Sequence, residues 1–170
     1  MNQSKAESSA AEFDLGREVV IKRVLNAPRE LVFEVWTDPS HLAQWWGPNG
    51  FTTPLCEADA RPGGKIHVDM RGPDGVVYPM TGVFKEVVPP ERLVFTTTPL
   101  DPSGKPLFET LNIVTFADQG GKTAVTLQAR ATTWTDKAAP YLKGMEIGWT
   151  QSIDRLVAYA EAAHKEKIAK

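Results

Sequence analysis

The sequence has little cysteine and no long apolar run, and both shortages limit what the protein can be. Cys56 is the single cysteine among 170 residues, which excludes an intrachain disulfide and a multi-cysteine metal site. Because chains without disulfides are typical of reducing compartments, we expect a cytoplasmic location. The sequence has no run of about 18 apolar residues, and its polar start lacks the apolar block of a secretory signal, so we do not expect a membrane protein.

A large excess of charge of either sign is also missing. The formal net charge is −2, from 19 basic and 21 acidic side chains that are spread along the chain. Nucleic acids and anionic membranes attract proteins through dense basic surfaces, and this sequence contains no such stripe. We therefore expect no nucleic-acid partner.

Residues suited to catalysis or metal binding are few. The three histidines, His41, His67 and His164, lie in separate segments, and none is beside a serine or cysteine in a nucleophile motif. His67 and Asp69 share one face of a predicted strand, where they could bind a metal or act as a base. The opposite face is apolar, however, which favours a solvated outer position for the pair. The glycine-containing turns match no nucleotide-binding pattern, and the sequence predicts neither a cofactor nor a metal site.

What the sequence does contain is a clear change of pattern along the chain. Residues 1–16 are small and polar without periodicity, and we expect a flexible tail before a single domain at 17–165. The segment 17–25 is rich in β-branched residues and predicts a strand. Two short helices should follow, the first with Pro28 at its first helical position and the second separated from it by an Asp-Pro break.

The middle of the chain consists of short β-rich runs separated by turn residues, which is typical of consecutive antiparallel strands. The predicted strands are 51–60, 65–71, 76–88, 92–98, 108–117 and 123–132. In the second of these runs, Ile66, Val68 and Met70 alternate with charged residues and His67. This alternation favours an antiparallel sheet with one covered face and one solvated face.

A long helix is predicted for the end of the chain, from an N-cap at Thr135 or Asp136 to about Lys165. One face of this helix carries apolar residues at steps of three and four: Leu142, Met145, Trp149, Ile153, Leu156 and Ala160. The apolar side of the sheet is the large surface available to cover that face, so the sequence predicts an α+β domain.

Large apolar side chains suggest a pocket between this sheet and the long helix. A strongly bent sheet that wraps one helix cannot close tightly along its whole length. We expect such a pocket to be lined by Tyr78, Met80, Phe95, Met145 and Trp149, and to be gated by Trp46 and Phe51. Trp45 would be the packed ring of the double tryptophan, and a plain hydrophobic core stays open as the alternative for each residue.

Several motifs together resemble one family. "APRELVFEVWTDPSHLAQWWGP", "ADARPGGKIHVDMRGPDG", "GVFKEVVPPERLVFT" and "GWTQSIDRLVAYA" resemble the START-like, helix-grip superfamily often labelled SRPBCC. The branch they resemble most comprises bacterial homologues of the activator of the ninety-kilodalton heat-shock-protein ATPase (AHSA-like). The resemblance implies a seven-stranded antiparallel sheet wrapped around a C-terminal helix, with an apolar cavity between them. Relatives include lipid and hormone binders, cyclases and co-chaperones, so the resemblance permits several functions.

Three hypotheses on function follow from the sequence. The leading one is a protein that binds an apolar or aromatic, lipid-like small molecule in an internal hydrophobic cavity. The second is a cyclase- or hydrolase-type enzyme that uses the same cavity, with Glu146 or His67 as general acid or base. The third is an interaction module whose apolar surface contacts a chaperone or, as a homodimer, a second copy of the chain.

Overall fold

The computed structural model describes residues 18–135, 140 and 143–169. The strands are β1 (Glu18–Leu25), β2 (Thr52–Ala58), β3 (Lys65–Arg71), β4 (Val77–Val88), β5 (Arg92–Pro99), β6 (Phe108–Gln119) and β7 (Lys122–Trp134). The helices are α1 (Arg29–Thr37), α2 (Pro39–Trp45) and α3 (Met145–Ala169). The predicted tail, 1–16, and Asp136 and Leu142 of the predicted long helix lie outside the described residues.

The strands form one antiparallel sheet in the order β1-β7-β6-β5-β4-β3-β2. This arrangement confirms the predicted α+β helix-grip fold with seven strands. The hairpin of β6 and β7 extends beyond its predicted bounds because the pairing continues to Gln119 and Lys122. Between those two residues, Gly120 and Gly121 have φ angles of 64° and 90°, the left-handed region that glycine enters without steric cost.

The two short helices between β1 and β2 form as predicted, but their first boundary differs by one residue. Pro28 is the N-cap of α1, with φ −70° and ψ 150°, instead of its first helical residue. Its extended backbone still lets its carbonyl oxygen accept from the amides of Leu31 and Val32, both at 3.1 Å. Asp38 then separates the helices, and its Oδ1 accepts from the Ser40 amide at 2.8 Å at the N-cap of α2.

Helix α3 packs its apolar stripe against the rest of the core, as the spacing predicts. Met145, Ile153, Leu156 and Ala160 are buried, and Trp149 is half-buried. Helix α3 begins at Met145, after a turn at Gly144. Pro140 and Lys143, the described residues before that turn, are also helical, and the rest of the predicted helix before Met145 lies outside the described residues. Of the predicted N-cap, Thr135 lies in an irregular segment, where its hydroxyl donates to the Leu107 carbonyl oxygen at 3.0 Å.

The two faces of the sheet differ as the alternation in β3 predicts. Ile66 and Val68 are buried beneath the helices, whereas the His67 side chain is 42% exposed and its Nε2 lies 3.1 Å from Asp69 Oδ1. None of the described helices combines the length and the apolar character needed to cross a bilayer.

Candidate functional site

One end of the interface between sheet and helices is closed by aromatic rings. Trp36 of α1 packs against Trp45 with ring centroids 4.7 Å apart, and it also contacts Phe95 and Phe116 at 6.2 and 6.3 Å. Among these rings lies a void of about 10 Å³. Since a single water needs about that volume, this closed end offers no room for a ligand.

The double tryptophan lies where α2 turns into β2. The Trp45 side chain is fully buried, and its Nε1 donates to the Val35 carbonyl oxygen at 3.1 Å, which confirms it as the packed ring. Trp46 is 7% exposed, and its ring centroid lies 5.4 Å from that of Trp149 on α3. The two indoles therefore differ less in burial than the predicted division into a packed ring and a gate implies.

Helix α3 holds the 46–50 loop in place. Arg155 donates from Nη1 to the carbonyl oxygens of Gly47 at 2.8 Å, Pro48 at 3.3 Å and Trp46 at 3.4 Å. Gln151 Oε1, one turn earlier, accepts from the Asn49 amide at 2.9 Å. Because a guanidinium satisfies several carbonyl oxygens at once, the loop is fixed against α3 and carries Trp46 with it.

The other end of the interface is open. A chamber of about 140 Å³, here called the tryptophan chamber, lies between the 46–50 loop, α3 and strands β3 to β6. Its walls are Trp46, Gly47, Pro48, Met70, Met80, Thr97, Pro99, Phe108, Thr110, Met145, Gly148, Trp149 and Ser152. The chamber opens to solvent, and most of its walls are apolar.

A second chamber of about 370 Å³ adjoins the first and also opens to solvent. It is here called the tyrosine chamber, and its walls are Pro48, Phe51, Met70, Tyr78, Pro99, Leu100, Leu107 and Phe108. The ring centroids of Phe51 and Tyr78 lie 6.2 Å apart. Since four wall residues belong to both chambers, the two form one cleft.

Three hydroxyl groups interrupt the apolar walls of the tryptophan chamber. Those of Thr97 and Thr110 lie 2.5 Å apart, and both threonines are more than nine-tenths buried. Behind them, fully buried Asn112 donates from Nδ2 to Thr97 Oγ1 at 3.1 Å and to the Phe95 carbonyl oxygen at 3.2 Å. The third hydroxyl belongs to Ser152 of α3, which is 5% exposed.

The seven predicted ligand-contacting residues fall into three groups. Trp46, Met80, Met145 and Trp149 line the tryptophan chamber, and Phe51 and Tyr78 line the tyrosine chamber. Phe95 borders neither chamber but lines the small void at the closed end. It lies there because β5 pairs it with Phe84 of β4, where the ring packs against Trp36.

Sequence reasoning missed the hydroxyl groups, although the sequence carries a signal for them. Along β6, alternate residues from Phe108 to Phe116 are buried, and Thr110 and Asn112 occupy that buried phase. Thr97 stands two residues after Phe95 in the buried phase of β5. A polar residue in the buried phase of a strand indicates either a hydrogen-bonded core group or a binding site.

Neither residue named for the enzyme hypothesis lines the cleft. Glu146 is exposed at the start of α3, and His67 lies on the outer face of the sheet beside a separate polar groove. Among the described wall residues of both chambers, Tyr78 is the one with an ionisable side chain. The described walls of the cleft therefore do not include the general acid or base that the sequence proposed for an enzyme.

One cluster elsewhere has atoms spaced for a metal ion. Ligand atoms of Glu34, Asp38 and His41 lie within 4.8 Å of one another. The hydrogen bonds of Ser40 lower the pKa of Asp38, and His41 Nδ1 lies 2.7 Å from the Tyr159 hydroxyl. These contacts join α1, α2 and α3.

Comparisons with known proteins agree with this architecture. The family model described as "Activator of Hsp90 ATPase homolog 1-like protein" (AHSA1) matches residues 26–161. None of the curated proteins matches the chain.

Solved bacterial structures extend the comparison. The AHSA1 protein of Silicibacter pomeroyi is 25% identical, with a TM-score of 0.73 over 86% of this chain and 99% of that one. A protein of Chromobacterium violaceum is 27% identical, with a TM-score of 0.72 over 85% and 97%. A protein of Arthrobacter aurescens is 25% identical, with a TM-score of 0.77 over 86% and 87%. The chain belongs to the AHSA1-like family, within the START-like, SRPBCC superfamily.

Proposed function

We propose that this protein binds a small apolar or aromatic molecule in the cleft formed by the tryptophan and tyrosine chambers. The observation that carries the proposal is an opening of about 370 Å³, lined mainly by apolar side chains, beside the chamber of about 140 Å³ under α3. Small-molecule sites in proteins typically have volumes of about 300–1,000 Å³ and mostly apolar walls with a few polar groups.

The chemistry of the walls favours an apolar guest. Met70, Met80 and Met145 supply flexible thioether chains that adapt to different shapes, and Trp46 and Trp149 supply flat apolar rings. Water in such a cleft has few groups to hydrogen-bond. Its replacement by an apolar molecule is therefore favourable, at roughly 25 cal/mol for each Å² of apolar surface removed from water.

Titration with a neutral apolar fluorophore tests the proposal. We expect N-phenylnaphthylamine to bind saturably and to change the fluorescence of Trp46 and Trp149, which line the tryptophan chamber. Absence of saturable binding by this probe and by a panel of fatty acids, sterols and polyphenols would contradict the proposal.

A matched pair of variants assigns the binding to the cleft. Gly148 lines the tryptophan chamber, and a Cβ added there meets no heavy atom of the described residues within 4 Å, so we expect the side chain of Gly148→Leu to extend into the chamber. We expect this variant to weaken probe binding. The neighbouring Ile147 is 64% exposed, so Ile147→Ala should leave probe binding unchanged.

The predicted gating role of Trp46 has its own readout. If the indole of Trp46 obstructs entry, Trp46→Ala should raise the association rate of the probe more than it changes the equilibrium constant. Weaker equilibrium binding with an unchanged association rate would instead make Trp46 a wall of the site.

The family description favours a chaperone contact as a second candidate function. To test this function, the ATPase rate of a purified ninety-kilodalton heat-shock protein is measured with and without this protein, and a chaperone contact should change that rate. On the outer face of β1, Val20 and Val24 are exposed and alternate with Lys22. Their partners on β7 are Gln128 for Val20, Thr126 for Lys22 and Ala124 for Val24. This surface is mixed in polarity, so the cleft supports small-molecule binding better than this face supports a partner.

A further inference from the structure

The hydroxyl groups of Thr97 and Thr110 form a closed ring of hydrogen bonds with the side-chain amide of Asn112. The Asn112 Nδ2 group donates to Thr97 Oγ1, and the Thr110 hydroxyl donates to Asn112 Oδ1 at 3.3 Å. The amide orientation is fixed because Nδ2 also faces the Phe95 carbonyl oxygen, which can only accept. The contact between the two threonines is then completed by the Thr97 hydroxyl, which donates to Thr110 Oγ1.

The hydroxyl protons and lone pairs left over in this ring decide which hydrogen bonds it can form with a bound molecule. Each threonine hydroxyl has one proton, and both protons are used inside the ring. Each threonine oxygen accepts one hydrogen bond within the ring and keeps a second lone pair. The sheet side of the chamber therefore presents acceptors, and a guest that meets Thr97 and Thr110 must donate a proton to them.

Ser152 supplies the complementary group from α3. Its side chain lines the same chamber and is 5% exposed, and its hydroxyl has no hydrogen-bond partner among the described residues. The Ser152 oxygen is not fully enclosed by the described residues, so water or a guest in the chamber can form a hydrogen bond with it. Ser152 can donate its proton to such a guest, while the threonine oxygens accept from it.

An anionic head group does not fit the same position. Among the described wall residues of the tryptophan chamber, none carries a positive charge. Arg155, the nearby cation, directs Nη1 and Nη2 to the carbonyl oxygens of the 44–48 segment. A carboxylate placed there would face the threonine lone pairs and lose its hydration without a partner.

We propose that the cleft is selective for neutral apolar molecules that carry a hydroxyl group, either phenols or alcohols. This inference rests on the proposed ligand-binding function. The guest's hydroxyl donates to Thr97 or Thr110 and accepts from Ser152, while its apolar body lies against the tryptophan and methionine walls. A hydroxyl group satisfies both requirements because it is donor and acceptor at once.

Three probes with the same ring system test the inference. Naphthol, naphthalene and naphthoate differ in their head group, and their binding can be followed by calorimetry. We expect naphthol to bind about fivefold more tightly than naphthalene, as one net hydrogen bond provides, and naphthoate to bind most weakly. Equal binding of naphthol and naphthalene, or tightest binding of naphthoate, would overturn the inference and leave the proposed function standing.

Variants locate the selectivity. Ser152→Ala should reduce the preference for naphthol over naphthalene about fivefold. Thr98→Val is the matched control, because Thr98 lines the groove beside His67 on the outer face of the sheet and does not line the tryptophan chamber. A preference that survives Ser152→Ala and Thr110→Val, with both variants folded by circular dichroism, would overturn the assignment. Failure of all three probes and of N-phenylnaphthylamine to bind would instead contradict the proposed function.

Discussion

The interface between the sheet and the helices has a closed end and an open end, and large apolar side chains line both. At the closed end, α1 and α2 place Trp36 and Trp45 against Phe95 and leave a void of about 10 Å³. At the open end, the beginning of α3 and the 46–50 loop cover the sheet, and a chamber of about 140 Å³ stays between them.

The difference shows that the number of covering elements decides where space remains. Two short helices and α3 together bring side chains to the closed end from three directions, so rings interlock there. Among the described residues, the open end is covered by the 46–50 loop and by the beginning of α3, which includes Gly148 and so presents no side chain to the chamber at that position. The same types of residue therefore form a dry core at one end and cleft walls at the other.

Truncation of a ring at the closed end should have the largest effect on stability. We expect Trp45→Ala to lower the free energy of unfolding by about 3–5 kcal/mol, because it removes a fully buried ring that the neighbours cannot replace. Urea denaturation measures this change. Met145→Ala at the open end should cost about 2 kcal/mol, since its side chain already borders empty space. Equal losses would show that the two ends are packed alike.

Removal of the guanidinium that links α3 to the 46–50 loop should have the next largest effect. Arg155→Met removes the donors to several loop carbonyl oxygens, and we expect a loss of about 1–3 kcal/mol. Hydrogen exchange should accelerate at loop amides such as Phe51, whose amide donates to the Pro48 carbonyl oxygen at 3.1 Å. Unchanged exchange in the loop, with only global stability lowered, would contradict a local clamp.

Substitution of the helical glycine at the open end should stabilise the protein. Gly148 lies within α3, and an added Cβ meets no atom within 4 Å, so Gly148→Ala should raise the free energy of unfolding by about 0.5–1 kcal/mol. Thermal unfolding measures it. Gly82→Ala is the opposite control, because its Cβ would lie 2.0 Å from the Thr96 carbonyl oxygen and must destabilise.

The pKa of the Cys56 thiol depends on how far water is excluded near the closed end. Cys56 of β2 pairs with Val68 of β3, and Val68 borders the small void at the closed end. Burial is the main cause that raises the pKa of the Cys56 thiol from 9.0 to about 11, and the negative charge of Glu57 is the second cause. The midpoint of the pH dependence of alkylation by iodoacetamide should therefore lie near 11 in the folded protein and near 9.0 in the unfolded protein. A midpoint near 9.0 in the folded protein would mean that water reaches the thiol.

The sign of the linked stability change follows from the same shift. The folded state holds the thiol proton more tightly than the unfolded state, so this contribution is fully present below pH 9.0 and is lost as the pH rises toward about 11. Cys56→Ser, which does not titrate in this range, should lose less stability between those two pH values than the unaltered protein.

Much of the architecture could be predicted from the order of patterns. The alternation in β3, the two short helices around the Asp38-Pro39 break and the apolar stripe on α3 are local signals, and each of these elements is present, although α3 begins at Met145 and not at the predicted N-cap. Six of the seven predicted ligand-contacting residues line the cleft, because large apolar residues near the ends of elements face the space between layers. Phe95 does not, since strand pairing and the position of α1 place it under Trp36.

By itself, the sequence determined which residues turn inward, because side chains alternate along a strand and repeat along a helix at fixed periods. Only the tertiary structure decided which of those inward residues meet a neighbour and which meet open space. That outcome depends on how many elements cover each part of the sheet, and on pairings such as Thr97 with Thr110 or Arg155 with Gly47, which join residues far apart in the chain.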